Sequence, residues 1–254
     1  ICCAKCTTYQ CYKGGAQKGE GIESGGCPIY SHPAQLQDNK DCVLCMTCLK
    51  ACPHRSVELN LRPPGIELWT THKPTYAEVS LMFLLFGAVF LHRLPDVEQL
   101  FGWNLHLDQF GFHTGVSVLA LLAPAAIALP AHALIRVFNA KTRPFLELAY
   151  GYLPLVLGCS LAHYLKLGLT EAGRILPVTV ATFGGSDRLI ATLPIAVAHP
   201  AVIDFLQATT IIIAFWISVF LTQKIARTPL LNLLPQYFAM ITIGSLLWKL
   251  IIHS

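Results

Sequence analysis

Apolar positions are scattered through the first quarter of the chain and then run in long blocks through the rest. Five blocks stand out: Glu78–His92, Gly111–Phe138, Leu146–Gly168, Ala201–Gln223 and Leu233–Ile252. A membrane-spanning helix needs roughly 20 mostly apolar residues. Several such blocks in one chain argue against buried helices of a large soluble protein, so the pattern predicts a bundle of about five transmembrane helices. The first block is short, and its helix is expected to start as early as Pro74. The second contains Pro124 and Pro130 and is expected to kink, which neighbouring helices tolerate by re-satisfying the freed backbone groups.

The connections give an orientation. Arg136, Lys141 and Arg143 crowd the second, and Lys224 and Arg227 the fourth. The connections 93–110 and 169–200 are poorer in cations for their length. Cation-rich short loops stay in the cytoplasm, which puts the first quarter of the chain there too. The Gly/Pro-broken stretch 174–200 then lies outside, as an interfacial or re-entrant loop. The expected domains are a head over 1–60, a linker over 61–77 marked by Arg62-Pro63-Pro64-Gly65, and the bundle over 78–254.

Composition sharpens this division. Only 13% of residues are charged and mean hydropathy is +0.55, against about a quarter charged in soluble domains. Fifteen of the 32 Asp, Glu, Lys and Arg residues precede Val79, so the polar chemistry concentrates in the head. The chain opens at Ile1 with cysteines at once, which reads as a fragment or processed product.

The head is where candidate chemistry gathers. Cys42-x2-Cys45-x2-Cys48-x3-Cys52-Pro53 is the spacing that wraps a [4Fe–4S] cubane. Zinc sites more often show two separated C-x2-C pairs. A second, looser set precedes it: Cys2, Cys3, Cys6, Cys11 and Cys27-Pro28. In two-cluster ferredoxins the fourth cysteine of each motif ligates the other cluster. That logic assigns Cys42, Cys45, Cys48 and Cys27 to one cluster. Cys52 and three of Cys2, Cys3, Cys6 and Cys11 go to the other. The alternative keeps Cys52 with its own motif. The glycine-rich stretch Lys13–Gly26 lacks a Lys-Ser/Thr ending and reads as a solvated loop rather than a P-loop.

His113, His132 and His163 fall inside predicted spans, where ionisable groups are costly and face the bundle interior. By depth, His113 and His163 are expected to meet between the second and third helices. They suit axial haem ligation or hydrogen bonding to a quinone. His132 lies towards the other end of the second helix, with no histidine partner in view. The opposing reading is that each is a helix-packing residue. His92, His106 and His199 are expected at the outer surface, Cys159 as a packing residue and Lys249 snorkelling outward.

The run Cys42-Val-Leu-Cys-Met-Thr-Cys-Leu-Lys-Ala-Cys52-Pro53-His54, the earlier Cys27-Pro28 and the following bundle resemble membrane-bound polyferredoxins. The chain is similar to NapH- and NosR-like quinol-dehydrogenase membrane components, and to a cyanobacterial FesM-like group. The motif covers only residues 27–54, and the spacing over Cys2–Cys11 departs from the family's repeat. The resemblance implies a small ferredoxin-like α+β head with two [4Fe–4S] clusters on an all-α transmembrane bundle. It implies electron transfer between a soluble ferredoxin-like partner and the membrane quinone pool, with haem b as an option. The chain would be an electron-transfer component of a quinone oxidoreductase in a bacterial inner or thylakoid membrane. Lipid, quinone and other membrane subunits are the expected partners, and nucleic acid is not. A redox- or oxygen-sensing regulator or maturation factor is the alternative. A coupled transporter is disfavoured, because mid-span positions are nearly free of charge.

Overall fold

The computed structural model describes residues 5–14, 23–36, 42–61, 63, 65–70, 73–103, 107–195 and 197–252. The chain divides into two units, Ile1–His72 and Lys73–Ser254.

The first unit carries α1 (Gln10–Lys13), a 3-10 turn at Pro33–Gln35, α2 (Thr47–Ala51) and α3 (Glu67–Thr70). α1 packs against α2. Among the described residues there is no strand and no sheet, which overturns the expected α+β ferredoxin-like fold of the head. Nor do three or more His, Cys, Asp or Glu side chains among those residues form a group that could hold a metal ion. Residues 57–61 alternate apolar Val57, Leu59 and Leu61 with polar Glu58 and Asn60, yet remain irregular. An alternating segment becomes a stable strand only beside other strands, and no described segment supplies the ladder.

Among the described residues the second unit holds helices and no strand. Its elements are α4 (Tyr76–His92), α5 (Leu94–Phe101), α6 (Phe110–Phe138), α7 (Phe145–Leu148), α8 (Leu153–Glu171), α9 (Ile175–Thr182), α10 (Asp187–Thr192), α11 (Pro200–Ala226) and α12 (Leu234–Ile252). Among the described residues four segments are long and apolar enough to cross a membrane: Phe110–Phe138, Phe145–Thr182, Pro200–Ala226 and Leu230–Ile252. α4 and α5 meet at a 69° bend and count as a fifth only if taken as one broken span. The bend has a local cause. Pro95 sits in the first turn of α5, where its ring is tolerated but cannot continue the helix before it. α6 continues as one helix through Pro124 and Pro130. The stretch expected as a loop over 174–200 holds α9 and α10, and α9 prolongs the segment begun by α7.

The distribution of side chains is that of a protein solvated by lipid. Leu119, Trp216, Phe220 and Phe238 are exposed, while Gln207, Ser218, Thr222 and Gln236 are fully buried. With lipid outside there is no hydrophobic drive between helices, so close packing of small residues and interhelical hydrogen bonds hold them together. The α8–α11 seam shows both. Gly158 faces Ala214 so closely that a Cβ on it would collide with that of Ala214, and Gly151 presses on Thr222 in the same way. The Leu155 N–H, in the first turn of α8, donates to the Ser218 hydroxyl at 2.8 Å. Gln207 donates from Nε2 to the Ala162 carbonyl at 2.8 Å. α4 approaches α6 at Gly87, against the backbone of Leu121. α12 packs against α6, α8 and α11.

Candidate functional site

In the first unit, Cys27, Cys42, Cys45 and Cys48 all line one cavity of about 220 Å³. Ile29, Val43, Leu44, Leu49, Val57 and Leu59 make up most of the remaining wall. Two pieces of backbone bring the thiols together. The Cys27 N–H donates to the Tyr12 carbonyl at 3.1 Å, which docks residue 27 onto α1. Gly26, at φ +79°, allows that approach, because a Cβ there would strike the Tyr12 carbonyl oxygen. On the other side, Leu44 (φ 53°) and Met46 (φ 59°) are left-handed. Such conformations cost non-glycine residues on the order of 1–3 kcal/mol each and persist at sites that over-determine them.

The same backbone plan occurs twice in this unit. Cys27-Pro28-Ile29-Tyr30-Ser31 and Cys52-Pro53-His54-Arg55-Ser56 share Cys-Pro-x-x-Ser. Tyr30 N–H donates to the Cys27 carbonyl at 3.0 Å and Arg55 N–H to the Cys52 carbonyl at 3.2 Å. Tyr30 and Arg55 are both left-handed, at φ 49° and 47°. Upstream, left-handed Tyr9 and Met46 precede α1 and α2, and Cys11 and Cys48 each follow two residues later. The full Cys-Pro-x-x-Ser repeat was available in the sequence; reading only Cys-Pro missed it.

Cys52 does not line the cavity. It is buried, and its Sγ accepts a hydrogen bond from the Ser56 N–H at 3.4 Å. Cys11 is buried, and the Cys6 Sγ lies 3.4 Å from the Thr8 hydroxyl. Cys2 and Cys3 lie outside the described residues, as does His106.

The thiols differ in acidity. Hydrogen bonding from the Thr47 hydroxyl and N–H holds the exposed Cys45 thiol below its usual value. Burial pushes Cys48 up, and the neighbouring Cys42 and Cys45 add to that. Cys6 is lowered, mainly by the Thr8 hydroxyl. Because the thiolate is the nucleophile, metal-free protein kept below the ordinary thiol pKa of about 8.5 should react with iodoacetamide at Cys45 well before Cys48. Thr47→Val should narrow the gap. Equal rates at the two thiols by peptide mapping would refute this ordering.

The second unit places the three intramembrane histidines differently. His132 on α6 is 5% exposed, and neither ring nitrogen has a partner among the described residues. The Phe145 ring meets it edge-on at 5.5 Å. Phe145 stacks on Phe83 at 5.8 Å, and Phe83 also touches Tyr152, whose buried hydroxyl likewise has no described partner. His113 is exposed on α6 and is not brought to His163. Instead His163 Nε2 lies 3.3 Å from His92 Nδ1, with the rings stacked at 5.4 Å and 29°. The expectation assumed that consecutive helices pair. α4, however, packs against both α6 and α8, and it is the helix that reaches His163.

The opposite end of α4 carries a second contact to the α8 region. Tyr150 donates to Glu78 Oε2 at 2.8 Å, and Glu78 also closes the capping box with Thr75. α4 and α8 therefore run parallel, with the two contacts about 21 Å apart along α4 at roughly 1.5 Å per residue. A bis-histidine haem does not fit these donors. The His92 and His163 rings are already within hydrogen-bond distance, leaving no gap for an iron between them, and His113 and His132 have no histidine partner among the described residues. A separate apolar groove of about 380 Å³ runs between α11 and α12, with Trp216, Trp248 and Lys249 on its walls. No protein-family model, curated protein or solved structure matches the chain.

Proposed function

We propose that the chain is a membrane iron–sulfur electron-transfer protein. A [4Fe–4S] cluster on Cys27, Cys42, Cys45 and Cys48 exchanges single electrons with a soluble ferredoxin-like partner. The helical bundle exchanges them with the membrane quinone pool. The observation that carries this reading is the set of four thiols on one cavity, one of them delivered from far upstream by the Gly26–Tyr12 contact. A cubane takes a thiolate at each of four separated corners. Lining a common cavity suits that need, whereas a single ion requires ligands converging on a point, which no described group provides. When bound, the cluster supplies one-electron redox chemistry.

The chain's own residues do the rest. The strained Leu44–Met46 backbone holds three thiols on one wall. Thr47 favours the thiolate at Cys45, the most exposed of the four. N–H groups and charges near the cavity would tune the potential of a group held there. In the bundle, His132 and His163 each keep a ring nitrogen buried without a described partner, a group able to hydrogen-bond a quinone carbonyl. With α4 and α5 taken together as one span, the cation-rich connections 136–143 and 224–227 favour a cytoplasmic cysteine-rich unit.

The test is anaerobic purification of the full chain in lipid, with iron and sulfide analysis and an absorption spectrum. A water-soluble quinone is then added to the reduced protein, and bleaching or recovery of the cluster band is followed. Cluster oxidation coupled to quinol formation is expected. Iron-loaded protein that exchanges no electrons with quinone at any potential would sink the quinone half. Protein that binds no iron after anaerobic reconstitution would sink the whole reading.

A further inference from the structure

We infer that His92 and His163 form a proton relay between the bundle interior and the water at one membrane face. It serves the quinone chemistry proposed above and rests on that reading. His92 is the last residue of α4, at the 69° turn into α5, and is exposed. His163 stands on α8, and its Nε2 lies 3.3 Å from His92 Nδ1. Its other ring nitrogen, Nδ1, is buried and has no partner among the described residues. The pair is thus one hydrogen-bonded unit with one end inside the bundle and the other at the surface.

Imidazole accepts a proton on one nitrogen while it gives one up from the other. A proton taken from a quinol hydroxyl by His163 Nδ1 leaves that ring with both nitrogens protonated. The Nε2 proton crosses to His92 Nδ1, and His92 releases its own Nε2 proton to water. Both rings end neutral with their tautomers exchanged, and exchange back through solvent resets them. Oxidation of a quinol sheds two electrons and two protons. The protons leave one at a time by this route, and the electrons would pass singly to a one-electron acceptor, the chemistry a cluster in the cysteine-rich unit would supply; quinone reduction runs every step in reverse.

Arg93, the residue after His92, is held by Asp96 at 3.2 Å. Tyr164 meets both rings edge-on, at 6.2 and 4.8 Å. From α11 the nearby polar group is the neutral Gln207, bonded to the Ala162 carbonyl. His132 differs in the decisive respect: it is buried, and no described polar group stands within hydrogen-bond reach to pass a proton on.

The conservative variants separate relay from packing. Asparagine places a polar atom where His92 has Nδ1, and glutamine where His163 has Nε2, so His92→Asn and His163→Gln keep a side-chain contact but cannot conduct. In the full chain in liposomes, each should slow steady-state quinone turnover by about a hundredfold or more and leave the cluster spectrum unchanged. Added imidazole should partly restore the rate of His92→Asn. A second readout needs no turnover. In 15N-histidine spectra, His163→Gln should move the His92 signals. Variants that turn over at the wild-type rate, or a His92 signal indifferent to His163→Gln, overturn the relay and leave a packing contact. Wild-type protein that exchanges no electrons with quinone overturns the parent reading, and the relay's role falls with it.

Discussion

Cys27→Ala should reduce bound cluster iron in anaerobically prepared protein to background, although residue 27 lies well outside the compact run of cysteines from 42 to 52. The cavity wall is the reason. Cys27 lines it with Cys42, Cys45 and Cys48, whereas Cys52, which closes the run in sequence, does not. Cys52 is buried with its sulfur accepting the Ser56 N–H. Cys52→Ala should therefore spare the cluster at the cavity, and Cys45→Ala should abolish it. Electron paramagnetic resonance of the reduced protein, with iron analysis, distinguishes the variants. A full signal in Cys27→Ala together with its loss in Cys52→Ala would assign the fourth corner to Cys52 and reject the assignment made here. Gly26→Ala offers a second route to the same site without touching a thiol. Its Cβ would strike the Tyr12 carbonyl and push residue 27 off α1, so cluster occupancy should fall with all four sulfurs still present.

The second large effect lies in the bundle. Gly158→Ala should lower the stability of detergent-solubilised protein by about 1–3 kcal/mol, the usual cost of an overpacked contact. The new methyl would occupy the space of the Ala214 Cβ, on a seam where α8 and α11 also share the Leu155–Ser218 and Ala162–Gln207 hydrogen bonds. α11 therefore cannot move away without stretching bonds that have no water to replace them. Ala214→Gly in the same chain should recover most of the loss, because it returns the space the methyl took. The two substitutions form a cycle whose coupling reports the contact directly. Additive effects of the two, measured as thermal midpoints, would show that the helices do not meet at these residues.

Legibility differed between the two units for physical reasons. Long apolar runs identify lipid-length helices without any partner being known. That is why the block beginning at Gly111 matches α6, and the one beginning at Ala201 matches α11, to within a few residues at each end. The bend at Arg93 was written in Pro95 but hidden by the apolar residues on either side of it. The head's strands were expected on the strength of its motif, yet a strand exists only as part of a ladder, and a cysteine spacing carries no information about ladders.

By itself, then, the sequence determined which stretches are solvated by lipid and which thiols are near one another along the chain, because hydropathy and short-range spacing are local quantities. Tertiary structure alone decided which partners meet across distance. Cys27 joins the cavity through the Gly26–Tyr12 contact, and His163 finds His92 because α4 packs against α8 as well as α6. Both outcomes depend on how closely two backbones can approach, which small residues such as Gly26, Gly87 and Gly158 permit but do not by themselves reveal.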